Sequence, residues 1–139
     1  DKVLNCFKGA ATATGARLKY RWDRAYYAPM RTNHTMAKLF ATNMETLGLN
    51  VNWMQPETGF GSTDMGNVSQ LVPSIHAFVA IAPPGVATHS TEFASCAASD
   101  SGWEGLILAA KAMAMTACDL FANPGVRQRV RREFRSAMP

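Results

Sequence analysis

Gly61-Ser62-Thr63-Asp64-Met65-Gly66-Asn67-Val68-Ser69 is a polar loop with glycines at its head and centre, and Ser74-Ile75-His76-Ala77-Phe78-Val79-Ala80-Ile81-Ala82, just beyond it, is almost wholly apolar. The second run reads as a strand covered on both faces and ended by Pro83-Pro84-Gly85. Thr88-His89-Ser90 follows. A strand end thus delivers a histidine-bearing loop to a sheet edge, a common place for site residues. A carboxylate loop, a buried strand and a loop histidine suit one edge of an active site. They do not complete one, because an active site needs several convergent groups and this stretch offers few.

Working outward, Val3 to Thr14 places Val3, Leu4, Phe7, Ala10 and Ala11 on one helical face, with Gly15 as its stop. Ala16 to Trp22 alternates, Leu18, Tyr20 and Trp22 against Arg17, Lys19 and Arg21, as in a strand exposed on one face. Asp23 to Thr32 breaks the periodicity and reads as a connector. Asn33 caps a second helix running to about Leu47, with Met36, Leu39, Phe40 and Met44 at helical intervals and Gly48 ending it. Gln55 to Gly61 is rich in turn formers. Ser101 to Phe121 reads as a long buried helix carrying Leu106, Ile107, Ala110, Met113, Ala114, Ala117 and Leu120. Asp100 or Ser101 is its expected cap, with Glu104 placed as in a capping box. Asn123-Pro124 opens a final helix. The order is α-β, connector, α, loop, β, α, α, and the first pair and the remainder read as different lobes split near Tyr26 to Arg31.

A length of 139 residues at 47% hydrophobic content suffices for one domain with a real core. The chain starts at Asp1 with residues that already read as helical, as a fragment or processed product would. No apolar run is expected to reach the ~20 residues of a membrane helix, so the expectation is a soluble, cytoplasmic protein. Cys6, Cys96 and Cys118 lack metal-motif or disulfide spacing and are expected to be buried free thiols. Arg127, Arg129, Arg131, Arg132 and Arg135, offset by Glu133, account for the whole net charge of +4. They would spread round a terminal helix while Val126, Val130 and Phe134 turn inward. A solvated helix is the expectation, not a nucleic-acid surface.

The three histidines show no metal-motif spacing. His34 falls in the first turn of a helix and is expected at the surface; His76, inside the apolar run, is expected to be a hydrogen-bonded core residue. For Asp64 two readings stand side by side. Gly61 and Gly66 let backbone approach a ligand while Ser62, Thr63 and Asn67 offer hydrogen bonds; alternatively, Thr63 or Asp64 caps a short helix, Met65 to Leu71.

The Gly61–Ser69 motif, Leu71-Val72-Pro73-Ser74-Ile75-His76 and Thr88-His89-Ser90-Thr91-Glu92-Phe93 resemble the carboxy-terminal catalytic segment of the aminoacylase/carboxypeptidase-G family of zinc amidohydrolases. The p-aminobenzoyl-glutamate hydrolase and dipeptidase-like branch is the most similar. Tyr26-Tyr27-Ala28-Pro29-Met30-Arg31-Thr32-Asn33, the helix Glu104–Phe121 and the end Val126 to Phe134 are similar too, so the resemblance spans nearly the whole chain. It implies an α/β fold: residues 1–22 as the last helix and strand of a ferredoxin-like lid and dimerisation domain, 23–32 as hinge, and 33–139 as the carboxy-terminal part of a zinc-peptidase-like catalytic domain.

By the same resemblance His89 matches the final metal ligand, and Ser62, Thr63 and Asp64 line the substrate side or brace a ligand. No role is implied for His76 or Asn67, and no catalytic residue lies in this stretch. The general-base glutamate and the remaining ligands of a divalent metal, zinc in the family, would lie upstream. The implied reaction is hydrolysis of an amide bond in a dipeptide-like or N-acyl amino acid (p-aminobenzoyl-glutamate-like) substrate, by an intact protein that is a homodimer. The alternative is an inactive truncated piece, or a noncatalytic binding or dimerisation module.

Overall fold

The computed structural model describes residues 1–23, 26–53 and 61–136. Apart from Gly61, the loop expected at Gln55–Gly61 lies outside them. Six helices follow one another: α1 (Lys2–Thr14), α2 (His34–Thr46), α3 (Met65–Ser69), α4 (Thr91–Ala97), α5 (Asp100–Ala122) and α6 (Pro124–Ser136). Among the described residues, extended pairing is confined to one isolated parallel bridge, Thr32 with Ser74.

The core forms where α2 crosses α5. Phe40, Met44 and Ala112 are buried there, with Leu47, Leu49, Val51, Ile75 and Val79 packed round them. Asn43, buried on α2, donates through Nδ2 to Thr116 Oγ1 (3.1 Å) and Asp119 Oδ2 (2.9 Å) on α5, fixing the register of the crossing. The buried stripe of α5 is Gly102, Gly105, Ala112 and Thr116. This corrects the expectation for that helix: Leu106, Ile107 and Met113 are exposed, along with Ala110, Ala114 and Ala117. Small residues win the inner face because they let neighbouring backbone and side chains come close. A Cβ on Gly102 would stand 2.4 Å from the Ala97 carbonyl oxygen, and one on Gly105 2.5 Å from Ile81 Cγ2. The cap of α5 is Ser99, whose Oγ accepts from Gly102 N, not Asp100 or Ser101. Ser101 Oγ instead donates to the Ile81 carbonyl at 3.1 Å. By length and composition alone α5 would suffice to cross a membrane, contrary to expectation; core helices of soluble proteins meet the same criterion.

Residues 75–81 run past α5 with Ile75 and Val79 half-buried against the core, Ile81 half-buried beside Gly105, and His76 and Phe78 on the open side. His76 is thus exposed, a correction to its expected core position; its ring stacks on that of Phe78 at 4.8 Å. The run is apolar on both faces, but only Ile75, Val79 and Ile81 have a cover, and Ala77 is exposed. Phe78 remains 83% exposed, and with Trp103 and Leu106 it lines an open apolar groove of about 530 Å³. The thiols also differ from expectation: Cys6 and Cys118 are exposed and Cys96 is half-buried, all three free.

At the amino end, Gly15 closes α1 in the left-handed conformation (φ 69°). The apolar side of α1, Val3, Leu4 and Phe7, faces Leu18, Tyr20 and Trp22 across a cleft of about 270 Å³. The two segments line one cleft, but Val3, Phe7, Tyr20 and Trp22 are all exposed, and residues 16–22 form no ladder, against the strand expected there.

The start of α2 is a junction in which every free N–H is accounted for. Asn33 N donates to the Ser74 carbonyl (2.9 Å). His34 N and Thr35 N donate to the two carboxylate oxygens of Glu133 (2.6 and 2.8 Å), and Met36 N donates to Asn33 Oδ1 (3.0 Å). Partial burial pushes the Glu133 carboxyl up. The hydrogen bonds from Thr35 and His34, with the charge of His34, outweigh it and hold the group below its ordinary range. A carboxyl depressed on folding contributes stability that is complete above its unfolded pKa, near 4.5, and is lost as pH falls through the lower folded value. Because its carboxylate accepts from two free N–H groups at the start of α2 while remaining largely in solvent, Glu133→Gln is expected to cost a few tenths to about 1 kcal/mol at pH 7. Urea titrations at pH 7 and pH 3 should show the two proteins converging as pH falls.

Candidate functional site

Thr63 and Asp64 divide the two roles left open for them. Thr63 Oγ1 accepts from Met65 N at 3.2 Å and so tightens the turn into α3. Asp64 occupies the cap position but makes no side-chain capping bond, and its carboxylate is exposed beside exposed Ser62. Two polar side chains at the head of the loop therefore remain open to solvent and to a ligand.

The other half of the motif faces a different way. Asn67 Oδ1 accepts from Ala28 N (3.0 Å) while its Nδ2 donates to the Tyr26 carbonyl (2.8 Å). Ser69 Oγ accepts from Arg31 N (2.9 Å) and donates to the Gly66 carbonyl (2.6 Å). Gln70 Nε2 donates to the Pro29 carbonyl (2.7 Å). One turn of chain thus holds four main-chain groups of the connector. Residue spacing gave no sign of these partners, which lie 38 to 41 positions away.

His89 follows a tight turn in which Val86 N donates to the Pro83 carbonyl (3.3 Å) and Gly85 has φ 92°. Ser90, immediately after it, caps α4 by accepting from Phe93 N at 3.1 Å. Between these two fixed points His89 takes φ 63°, and among the described residues it alone of the non-glycines has a positive φ. The left-handed region costs an L-residue roughly 1–2 kcal/mol. Its imidazole is exposed, and among the described residues no hydrogen bond joins it to Ser62, Thr63 or Asp64. Close by, the Glu92 carboxyl is held below its ordinary range by its own backbone N–H and by the hydroxyls of Ser90 and Thr91. The first turn of α4 therefore carries a fixed negative charge three positions beyond His89.

Among the described residues no three His, Cys, Asp or Glu side chains converge as a metal site would require. His89 on its own does not fit a tetrahedral ion. The exposed His34 and His76 stand apart from it, on α2 and on the open face of 75–81.

No protein-family model matches the chain. Two curated proteins do. The mouse (Mus musculus) Xaa-Arg dipeptidase is 31% identical over 138 residues, 96% of this chain and 31% of the mouse protein. The human (Homo sapiens) Xaa-Arg dipeptidase is 30% identical over 138 residues, with the same coverage of each. The chain is a homologue of dipeptidases. It spans 31% of the length of these relatives.

Proposed function

We propose that this chain is the carboxy-terminal part of a metal-dependent peptidase or amidohydrolase of the aminoacylase type, cleaving an amide bond in a dipeptide-like substrate. The observation that carries the reading is the left-handed backbone of His89, set between a rigid turn and a helix cap. A histidine kept where glycine would cost less points to a demand on its imidazole. The likeness to dipeptidases over 96% of the chain supports the same reaction class. In this proposal His89 supplies one donor to a divalent metal, zinc by preference, and polypeptide outside these residues supplies the rest. Ser62 and Asp64, exposed at the head of the loop, orient the substrate, and Thr63 shapes the turn that presents them. The extended run 75–81, with Ile75 and Val79 on the core and no strand partner among the described residues, serves in this proposal as the strand of an α/β catalytic domain. Residues 1–22 belong to a lid through which the intact protein dimerises.

His89→Gly separates chemistry from architecture. In this chain the substitution relieves the left-handed strain and should raise stability by up to about 1 kcal/mol. In a chimera that carries this chain in place of the matched segment of the mouse dipeptidase, the same change should lower zinc content and cut dipeptide turnover at least 100-fold. His34→Ala and His76→Ala in that chimera should stay within threefold. A His89→Gly chimera with full zinc content and unchanged turnover would refute the assignment.

A further inference from the structure

Tyr26 and Tyr27 are 76% and 68% exposed, so apolar burial does not hold the connector where it begins. Its course is set by polar contacts, and Asn67 makes the most demanding of them. One side-chain amide accepts from Ala28 N and donates to Tyr26 O. It thereby satisfies the two main-chain groups that flank Tyr27, as a neighbouring parallel strand would. Ser69 and Gln70 continue the grip to Arg31 and Pro29. The approach is close: a Cβ on Gly66 would stand 1.9 Å from the Ala28 carbonyl oxygen.

We propose that Asn67, assisted by Ser69 and seated by Gly66, is a positioning residue that makes connector 26–31 and the Ser62–Asp64 loop one mechanical unit. The connector leads from the α1 unit to the core, and α3 carries the exposed Ser62 and Asp64 at its head. A displacement of the connector is therefore felt at the candidate substrate loop. That final consequence rests on the function proposed above; the clamp itself does not.

The test is amide hydrogen exchange, followed by NMR on the 139-residue chain. In Asn67→Ala the protection of Ala28 and Arg31 should fall at least tenfold while that of Met44 and Ala112 stays within twofold. The amide resonances of Ser62, Thr63 and Asp64 should shift. Asn67→Asp supplies a readout that general damage would not reproduce. At pH 7 its carboxylate faces the Tyr26 carbonyl and protection should be lost as in the alanine variant. Near pH 4 the protonated carboxyl donates to that carbonyl again, and at least threefold of the protection should return. Asp64 and Arg31, the charged groups on the two segments, are common to both proteins, so the ratio to the unsubstituted chain cancels their titration. Unchanged protection at Ala28, equal loss across the core, or no recovery of Asn67→Asp at low pH would each overturn the clamp. Unmoved Ser62–Asp64 resonances beside a loosened connector would overturn the coupling. Every readout is independent of hydrolysis, so failure of the function leaves this result standing, and the reverse.

Discussion

Gly66→Ala is expected to destabilise the protein by about 2–3 kcal/mol, although the same exchange in an open helix stabilises. Alanine gains roughly 1 kcal/mol over glycine in a helix interior. Against that, the new Cβ would lie 1.9 Å from the Ala28 carbonyl oxygen and 3.0 Å from its carbonyl carbon. Both atoms are backbone, so no side-chain rotation can make room. The connector must move away from α3, and the bonds from Asn67, Ser69 and Gln70 weaken together. Each such bond contributes about 1 kcal/mol net, so their joint loss exceeds the gain in propensity. Gly9→Ala in α1 is the control, because nothing lies within 4 Å of its Cβ position. It should be neutral or stabilising by up to about 1 kcal/mol. Urea midpoints for the two variants should move in opposite directions. A Gly66→Ala protein as stable as the parent would mean that α3 and the connector do not touch.

The helices α1, α2 and α6 were legible in the sequence because their signals are local. Asn33 and Gly15 mark their ends through bonds made within a few residues, and Val126 and Val130 recur on one face and are buried. In α5 the existence of a helix was legible but its buried face was not. Apolar periodicity ranks residues by transfer free energy, whereas the buried face of α5 is set by close approach: Gly102 admits the end of α4, Gly105 admits Ile81, and Ala112 packs on Phe40 and Met44 of α2, while Leu106 and Met113 stay outside. Helix α4 escaped notice because Thr91–Ala97 is only seven residues long, with Ser90 as its one strong signal. The same limit applies at the site. That His89 lies in a loop follows from Pro83-Pro84-Gly85, but its left-handed backbone is set by the turn before it and the cap after it acting together. The work of Asn67 is tertiary throughout, since its partners lie 39 and 41 residues away. A polar motif can thus bear two loads, an open carboxylate at its head and a backbone clamp at its tail, and composition alone does not separate them.

Asn33→Ala should remove a further 2–3 kcal/mol, through a different residue with two jobs. Asn33 is only 3% exposed. Its Oδ1 caps α2 by accepting from Met36 N, and its Nδ2 donates to the Val130 carbonyl on α6 at 3.0 Å. Loss of an N-cap costs about 1 kcal/mol, ranging from 0.5 to 2, and loss of a buried hydrogen bond costs a similar amount. Asn33→Ser separates the two contributions, since a serine hydroxyl can cap but cannot reach α6, and should cost about 1 kcal/mol. Asn33→Asp keeps the capping acceptor but turns a second oxygen toward the Val130 carbonyl in a junction that already holds Glu133 on His34 and Thr35. It should therefore lie closer to alanine than to serine at pH 7 and recover as pH falls and its carboxyl gains a proton. That recovery is opposite in sign to the acid loss expected from Glu133 itself, so a double variant with Glu133→Gln isolates it. If serine at position 33 unfolds at the urea concentration of the unsubstituted protein, the bond from Asn33 to the Val130 carbonyl carries no stability, and if alanine unfolds with serine, the cap carries none.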